Sequence, residues 1–328
     1  MKKKVIKNCL RIIVVIAAFG FLAATQDVNA LVDGVKKISI VPLAVGVLLF
    51  IFSNALVGLR WSRLLAALDI HFPILASIKV TFVGLFYNNM LLSNIGGDLL
   101  RGWYVTKYTD KRLEAAFSVV VDRVCGFFAC LIMALGGLVA SRKLFADAAA
   151  SETAASGSPA EGMPLIMKLV IVVAVLAAAS IVAIVILWRM KKLDSLLANL
   201  RSHIKRFWVA VVVYLKSPFV LLNAMGITII AQSITVVGIY VACSSLNIDA
   251  PLKVFFIFFP LSWVIGALPV SPGGLGVLEL GIVAMFATLP QVTNEQALML
   301  ALCQRIIFVA GSLPGFLIHL SGTHLPKE

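Results

Sequence analysis

The sequence contains few charged residues. Only 13% of its 328 residues are Asp, Glu, Lys or Arg, whereas 61% are hydrophobic. Soluble domains carry about 25% charged residues, so this chain lacks the polar surface that a globule in water needs. The sequence predicts instead an all-α polytopic membrane protein, because apolar runs long enough to cross a bilayer recur along the chain. They occupy residues 9–25, 41–59, 73–105 (broken), 115–140, 164–188, 208–244, 251–290 (broken) and 297–320.

Cysteine and histidine are also scarce. The five cysteines lie in or beside apolar runs and form no CxxC motif, and the four histidines are scattered near predicted span ends without an HExxH motif. Isolated cysteines in apolar surroundings behave as small hydrophobic residues. We therefore expect no disulfide, no metal site and no cofactor.

The charged residues that are present are mostly positive, and the positive ones are concentrated in connections predicted to lie on one side of the membrane. The formal net charge of +13 would suggest nucleic acid as the partner of a soluble protein, but in a membrane protein it is first tested against the positive-inside rule. Lys and Arg number 19 in the connections 1–11, 60–71, 101–114, 189–216 and the C-terminal tail, and 5 in the connections 26–40, 141–163, 245–253 and 290–296. The first set, with both termini, is predicted to face the cytoplasm across the cell membrane.

Two broken apolar segments do not fit this topology as simple spans. Residues 73–101 begin and end at cytoplasmic connections, and residues 251–290 begin and end outside. Each contains an irregular stretch, NNMLLSNIGGD at 88–98 and PVSPGGLG at 269–276, which a membrane tolerates only inside protein or beside a wet cavity. We predict about six spanning helices plus two re-entrant hairpins; the alternative is eight transmembrane segments.

An internal repeat supports the hairpin interpretation. Residues 1–140 and 164–320 both predict the order span, span, hairpin, span, joined by an extracytoplasmic loop at 141–163, all within a single membrane domain over 1–328. After each hairpin an arginine follows an alanine by eight residues, Ala115 to Arg123 and Ala297 to Arg305. Three spans per half invert the second half relative to the first, as in many transporters. Residues 1–25 also resemble a signal peptide, but the later spans favour an uncleaved first helix.

Charged side chains within the predicted membrane segments are the candidates for function. Each would cost at least about 2.5–3.5 kcal/mol near the bilayer centre without a partner or a wet cavity. One interpretation is mutual neutralisation, of Asp122 by Arg123 and of Glu279 by Arg305. The other is a polar cavity between the halves, in which arginines bind an anionic head group and carboxylates meet a cationic or proton-coupled group. The six residues concerned are Asp98, Arg101, Asp122, Arg123, Glu279 and Arg305.

The glycine-rich stretches allow two interpretations as well. Gly96-Gly97 and Pro272-Gly273-Gly274 either form helix starts that hold an anion or let helices pack closely. The neighbouring Asn89 either lines the cavity or caps its hairpin. Residues 189–216, which alternate basic and apolar side chains, predict an interfacial helix on the anionic inner leaflet or a solvated loop.

Four motifs together resemble a known family. They are Asn89 followed by Gly-Gly-Asp-x-x-Arg at 96–101, Val-x-x-Asp-Arg at 119–123, Pro-x-Ser-Pro-Gly-Gly-Leu-Gly-x-x-Glu at 269–279, and Gln-Arg at 304–305. They are similar to the lysylphosphatidylglycerol synthase transmembrane (flippase-like) family over nearly the whole chain. In its bifunctional members a soluble aminoacyl-transferase domain follows, which we do not expect here because the sequence ends at Glu328. One departure is Leu92–Asn94, where a Leu-Pro is common before the glycines.

The resemblance implies a lipid translocase or lipid-handling transporter for an anionic phospholipid or a polyprenyl-linked head group, and not an enzyme. Alternatives are a polyprenyl-diphosphate phosphatase-like enzyme and a non-transporting scaffold for a lipid-modifying enzyme. Expected partners are membrane lipids, with self-association and a lipid-modifying or glycosyltransferase partner as further hypotheses, and no nucleic acid. The predicted substrate-binding residues are Asn89, Gly96, Gly97, Asp98, Arg101, Asp122, Arg123, Pro272, Gly273, Gly274, Gly276, Glu279 and Arg305.

Overall fold

The structure is a computed structural model that describes residues 38–90, 96–141, 214, 217–246, 248–267 and 276–322. Within these ranges the regular structure is entirely helical. A 3-10 turn at Cys243–Leu246 accompanies eight α-helices, which are α1 (Ile40–Ala67), α2 (Ile74–Met90), α3 (Gly96–Tyr108), α4 (Arg112–Ala140), α5 (Pro218–Ala242), α6 (Leu252–Gly266), α7 (Val277–Phe286) and α8 (Asn294–Ser321).

Four of the described helices are long and apolar enough to cross a membrane. They are α1, α4, α5 continued by its 3-10 turn, and α8, each of 28 to 30 residues. At 1.5 Å per residue such a helix is about 40 Å long, which exceeds the roughly 30 Å of hydrocarbon in a bilayer. The chain is therefore a multi-pass membrane protein with an all-α fold, as predicted. The further spans predicted at 9–25 and 164–188 lie outside the described residues.

The helix ends follow local sequence signals. Thr293 precedes α8 and forms a capping box, in which its hydroxyl accepts from the Gln296 amide at 3.2 Å and the Gln296 side chain accepts from the Thr293 amide at 3.0 Å. Gly322 ends α8 with φ 65°, a left-handed conformation that glycine adopts without strain. Pro218 opens α5, where its missing N–H is not needed.

The first broken segment forms a helical hairpin. Gly84 of α2 lies against both Gly97 and Arg101 of α3, and one turn further along α2 the Asn88 side chain accepts from the Gly97 amide at 2.8 Å. Residue numbers therefore rise along α2 as they fall along α3, which shows that the two helices run antiparallel. Residues 91–95, which connect the two helices in the chain, lie outside the described residues.

The second broken segment forms an equivalent hairpin. Gly266 near the end of α6 faces Leu278 at the start of α7, and the rings of Phe258 and Phe286 meet at 5.1 Å between centroids at the other end. These contacts again require antiparallel helices. Both broken segments are thus antiparallel helical hairpins. Their helices have 10 to 17 residues, fewer than the roughly 20 of a full span, which favours re-entrant hairpins over eight separate transmembrane segments.

The two halves are inverted relative to each other. The first spans of the described halves, α1 and α5, pack along each other, with a 2.7 Å hydrogen bond between Ser53 and Thr235 and a 2.6 Å bond from Arg60 to Thr228. These pairs show that α1 and α5 are antiparallel. The two halves also make equivalent contacts between helices. The helix α2 packs on α8 as α6 packs on α4, and α3 packs on α4 as α7 packs on α8. The boundaries of the repeats at 140 and 164 stay a prediction.

Candidate functional site

Asp122 on α4 is the most buried charged residue in the described part of the first half, and its carboxylate pairs with two arginines. Its side chain is 4% exposed. Arg60 of α1 donates through Nε to Oδ1 at 2.8 Å, and its Nη2 lies 2.7 Å from the same oxygen. Arg101 of α3 donates through Nη1 to Oδ2 at 3.2 Å. Because Arg60 also donates to Thr228 of α5 at 2.6 Å, this cluster ties four helices together.

A second carboxylate, Asp98, adjoins the cluster from the first turn of α3. It forms an ion pair with Arg123 of α4 and lies 3.5 Å from Nη1 of Arg101. The Arg101 guanidinium also stacks over the ring of Trp61, at 4.3 Å from its centroid, a cation–π contact that suits arginine. The Arg123 side chain is 44% exposed, so it is the most accessible of the three arginines.

These charges line a cavity of about 280 Å³ between the two halves. The first half contributes Arg60, Asp98, Arg101, Asp122 and Arg123 from three helices. The second half contributes Gln232 from α5 and the end of α6. The remaining lining residues are Gly126, Phe127, Cys130, Trp263, Val264 and Ala267. The structure therefore brings four of the predicted site residues, all charged, into one cavity within a membrane protein.

A matching ion pair exists in the second half. Arg305 donates through Nε to Oε1 of Glu279 at 2.6 Å, and Oε2 of Glu279 accepts from the Gly276 amide at 2.8 Å. Glu279 is the third residue of α7 as Asp98 is of α3, and Arg305 is the twelfth residue of α8 as Arg123 is of α4. Both pairs join the second helix of a hairpin to the span that follows, which is the repeat predicted from the two Ala-to-Arg spacings.

The residue before each of these arginines differs between the halves. Asp122 precedes Arg123 and binds Arg60 and Arg101, whereas the equivalent Gln304 precedes Arg305 and accepts a hydrogen bond from the Trp263 indole at 3.1 Å. The charge cluster around Asp122 therefore has a neutral counterpart in the second half. Trp263 connects the two regions, because it also lines the cavity.

The predicted pairing of charges is partly confirmed. Glu279 does neutralise Arg305, but Asp122 is held by Arg60 and Arg101, and Arg123 is held by Asp98. The reason is helical geometry: adjacent residues point about 100° apart, so Asp122 and Arg123 face different neighbours.

Several other predicted residues lie apart from the cavity. Gly97 at the start of α3 packs against Gly84, and its amide is already bound to Asn88, which fits close helix packing. Asn89 donates to the Phe308 carbonyl of α8 at 3.3 Å. Gly276 begins α7 with φ 79°, a conformation that favours glycine. Gly96 begins α3 without lining the cavity, and Pro272, Gly273 and Gly274 lie outside the described residues.

Eight of the twelve residues that line the cavity escaped the sequence analysis, among them Arg60, Gln232 and Trp263. Arg60 was counted in a cytoplasmic connection, but α1 continues to Ala67 and buries it. The apolar residues that follow it, as in Leu64 and Leu65, are the signal that could have extended the helix. Gln232 and Trp263 sit inside long apolar runs and carry no charge, so nothing in the sequence singles them out.

The chemistry that this cavity offers is ion pairing and hydrogen bonding. Three guanidinium groups and two carboxylates face it, and arginine forks are matched to phosphate and carboxylate oxygens. Within the described ranges no three His, Cys, Asp or Glu side chains lie close enough together to hold a metal ion.

Comparisons with known proteins agree with the motifs. A family model for the lysylphosphatidylglycerol synthase TM region matches residues 8–315. A UPF0104 membrane protein of Methanothermobacter thermautotrophicus is 24% identical over 309 residues, which cover 92% of this chain and 91% of that protein. Since the family match extends over most of the sequence, the chain belongs to the family of the lysylphosphatidylglycerol synthase TM region.

Proposed function

We propose that this protein is a lipid translocase, or a lipid-handling transporter, that accepts an anionic phospholipid or a polyprenyl-linked head group in the cavity between its halves. The observation that carries the proposal is the cavity itself, in which five charged side chains meet inside an apolar helical protein. Ionisable groups within membrane segments are expensive and typically line substrate pathways. Membership of a lipid-associated family supports the same conclusion.

The arrangement of the arginines suits an anionic head group. Asp122 fixes Arg60 and Arg101 in position, so little side-chain freedom remains to be lost when a ligand binds. Arg123 is partly exposed toward the cavity and can reach an entering phosphate. The carboxylates beside them would accept a cationic substituent on the same head group.

The inverted halves suit movement between leaflets. In transporters of this architecture, one half rocks or gates against the other around a central site. Here each hairpin is tied to the following span by an equivalent ion pair, Asp98–Arg123 or Glu279–Arg305, and the first hairpin also by Arg101–Asp122. Weakening either pair would loosen one hairpin from its span, which is the movement that opening of the cavity toward one side requires. The proposal places both termini and residues 101–114 in the cytoplasm, with the protein in the cell membrane, on the strength of the Lys/Arg distribution.

The test uses purified protein in liposomes that contain a fluorescently labelled anionic phospholipid. Redistribution of the label between leaflets is followed by an impermeant quencher, and phosphate release is measured in parallel. We expect redistribution without phosphate release. Glu279→Gln should slow it because Arg305 loses its counter-charge.

The matched control is Asp69→Asn, which removes a carboxylate of a largely exposed ion pair with Lys111. Asn tolerates the φ of 55° at this position, so this variant should redistribute lipid at the wild-type rate. Phosphate release would show the phosphatase-like enzyme instead. If the protein neither binds nor redistributes any of the anionic phospholipids and polyprenyl-phosphate conjugates tested, a non-transporting scaffold is the remaining hypothesis.

A further inference from the structure

The cavity lies beside a glycine of α4 whose counterpart in the second half is aromatic. Gly126 follows Arg123 by three residues on α4, and Phe308 follows the equivalent Arg305 by three residues on α8. Gly126 lines the cavity, and a Cβ added to it would meet nothing within 4 Å among the described residues. The same helix position is therefore open in the first half and occupied by a ring in the second.

The contacts between α1 and α5 show which of their residues correspond. Ser53 and Thr235, joined by the 2.7 Å hydrogen bond, are called the central pair. Seven residues away in each direction the two helices meet again, through Arg60 with Thr228 and Gly46 with Ala242. An exchange of halves therefore places Ser53 on Thr235 and repeats the contacts on both sides of the central pair.

The residues three positions before the central pair make equivalent contacts with different chemistry. On α5, Gln232 donates to the Gly126 carbonyl at 3.1 Å. On α1, Phe50 stacks on Phe308, with 4.6 Å between ring centroids and 17° between ring planes. Because α1 and α5 are antiparallel, the two contacts lie on opposite sides of the central pair. The cavity and the aromatic stack are thus counterparts, one open and one filled.

The aromatic stack is tightly packed and adjoins the cavity. Phe50 is buried and lies directly against Gly311 of α8, and Asn89 of the first hairpin donates to the Phe308 carbonyl at 3.3 Å. The ring of Trp263, which lines the cavity, lies 6.4 Å from that of Phe308. Three rings therefore separate the cavity from its filled counterpart.

We infer that the Phe50–Phe308 stack is a gate, which fills the second-half counterpart of the cavity and closes the path from the cavity toward the opposite side of the membrane. In an inverted repeat, the counterpart of a cavity lies across the midplane from it. A charged head group cannot share this space with two stacked rings, and apolar constrictions close membrane pores in a similar way. The gate rests on the proposed function and adds where the pathway is closed.

Thiol accessibility tests the gate in the purified full-length protein without reference to lipid movement. The reporter is Ser312→Cys in a background without the five native cysteines, because Ser312 is fully buried and is the counterpart of the cavity-lining Cys130. It is labelled in detergent with a hydrophilic thiol reagent. Phe308→Gly, which installs the residue of the first half, should raise the labelling rate by about 2- to 10-fold, the equilibrium worth of one aromatic pair. Phe117→Gly is the matched control, since Phe117 is a buried phenylalanine of α4 that packs near Tyr214, and it should leave the rate unchanged.

The reverse substitution, Gly126→Phe, should fill the open cavity. Its reporter is Ala267→Cys in the same background, because Ala267 is exposed and lines the cavity. Labelling of this cysteine should be lost in Gly126→Phe. The control is Gly136→Phe on the same helix, where a Cβ also meets nothing within 4 Å but the residue is not part of the cavity lining, and labelling should persist.

Lipid movement is measured in liposomes with fluorescently labelled phosphatidylglycerol. Phe308→Gly should speed redistribution by the same factor as it speeds labelling, because the rings must part before a head group passes. Gly126→Phe should abolish redistribution. Phe117→Gly should not speed it, and Gly136→Phe should match wild type.

The gate is overturned if Phe308→Gly leaves Ser312→Cys protected, or if Phe117→Gly exposes it equally, which would show general loosening. It is also overturned if Gly126→Phe redistributes lipid at the wild-type rate. That variant removes no side chain, so it keeps the test decisive even if Phe308→Gly does not fold. If the wild type moves no lipid, the proposed function fails, whereas the two labelling experiments still show whether the stack closes the counterpart of the cavity.

Discussion

The first hairpin depends on a glycine at position 97, and replacing it by alanine is the sharpest test of the helix packing. A Cβ at Gly97 would lie 1.9 Å from the Gly84 carbonyl oxygen and 2.7 Å from its carbonyl carbon. Carbon–oxygen contacts are normally about 3.3 Å or longer, so α3 would have to move away from α2 by more than about 1 Å. Both atoms that it meets are backbone, which cannot rotate aside as a side chain can.

The expected cost follows from this displacement. Forcing an extra methyl group into a packed interface destabilises by about 1–3 kcal/mol. The 2.8 Å hydrogen bond from the Gly97 amide to Asn88 would be stretched as well, which adds up to about 1.5 kcal/mol. Because Asp98 and Arg101 follow on the same helix, the shift would also loosen their contacts with Arg123 and Asp122.

The assay is thermal stability in detergent, measured as the fraction of monodisperse protein that remains after heating. The matched control is Gly136→Ala on α4, where a Cβ meets nothing within 4 Å. Both substitutions gain about 1 kcal/mol of helix propensity at most, so that gain cancels in the comparison. We expect Gly97→Ala to melt well below wild type and Gly136→Ala to melt at or slightly above it. Equal melting of the two variants would refute the close approach of α2 and α3.

Two further predictions concern the arginines and the topology. The substitutions Arg123→Lys and Arg305→Lys each keep the positive charge but lose the planar guanidinium that binds the carboxylate. Lipid redistribution in liposomes should therefore fall while the protein accumulates normally. Full activity of both variants would leave these arginines only a packing role. Single cysteines at Thr109 and Ser156, in a background without the five native cysteines, should react differently with an impermeant thiol reagent added to intact cells. Ser156 should be labelled and Thr109 protected, since the Lys/Arg distribution predicts that residues 101–114 face the cytoplasm; labelling of Thr109 would contradict the predicted topology.

The sequence was enough for the membrane class and for the hairpins. Scarce charge and long apolar runs decide the class because a bilayer-spanning helix needs nothing else. The hairpins were predicted from the charge distribution, since the connections that flank residues 73–101 were both assigned to the cytoplasmic side. The polar and glycine-rich stretches at 88–98 and 269–276 then marked the junctions between the two helices of each hairpin. These signals are local in the chain, so one sequence reveals them.

The partners of the charges were not local, and only the tertiary structure decided them. The sequence identified Asp98, Arg101, Asp122 and Arg123 as costly inside a membrane. Their pairing, however, depends on which sides of the helices pack together. Arg60 entered the site because α1 continues past the end of its apolar run. Gln232 entered the site because α5 packs on α4, where the Gln232 amide nitrogen donates to the Gly126 carbonyl and to Cys130 Sγ. Such features arise between helices far apart in sequence, and they are fixed by packing, not by composition or period.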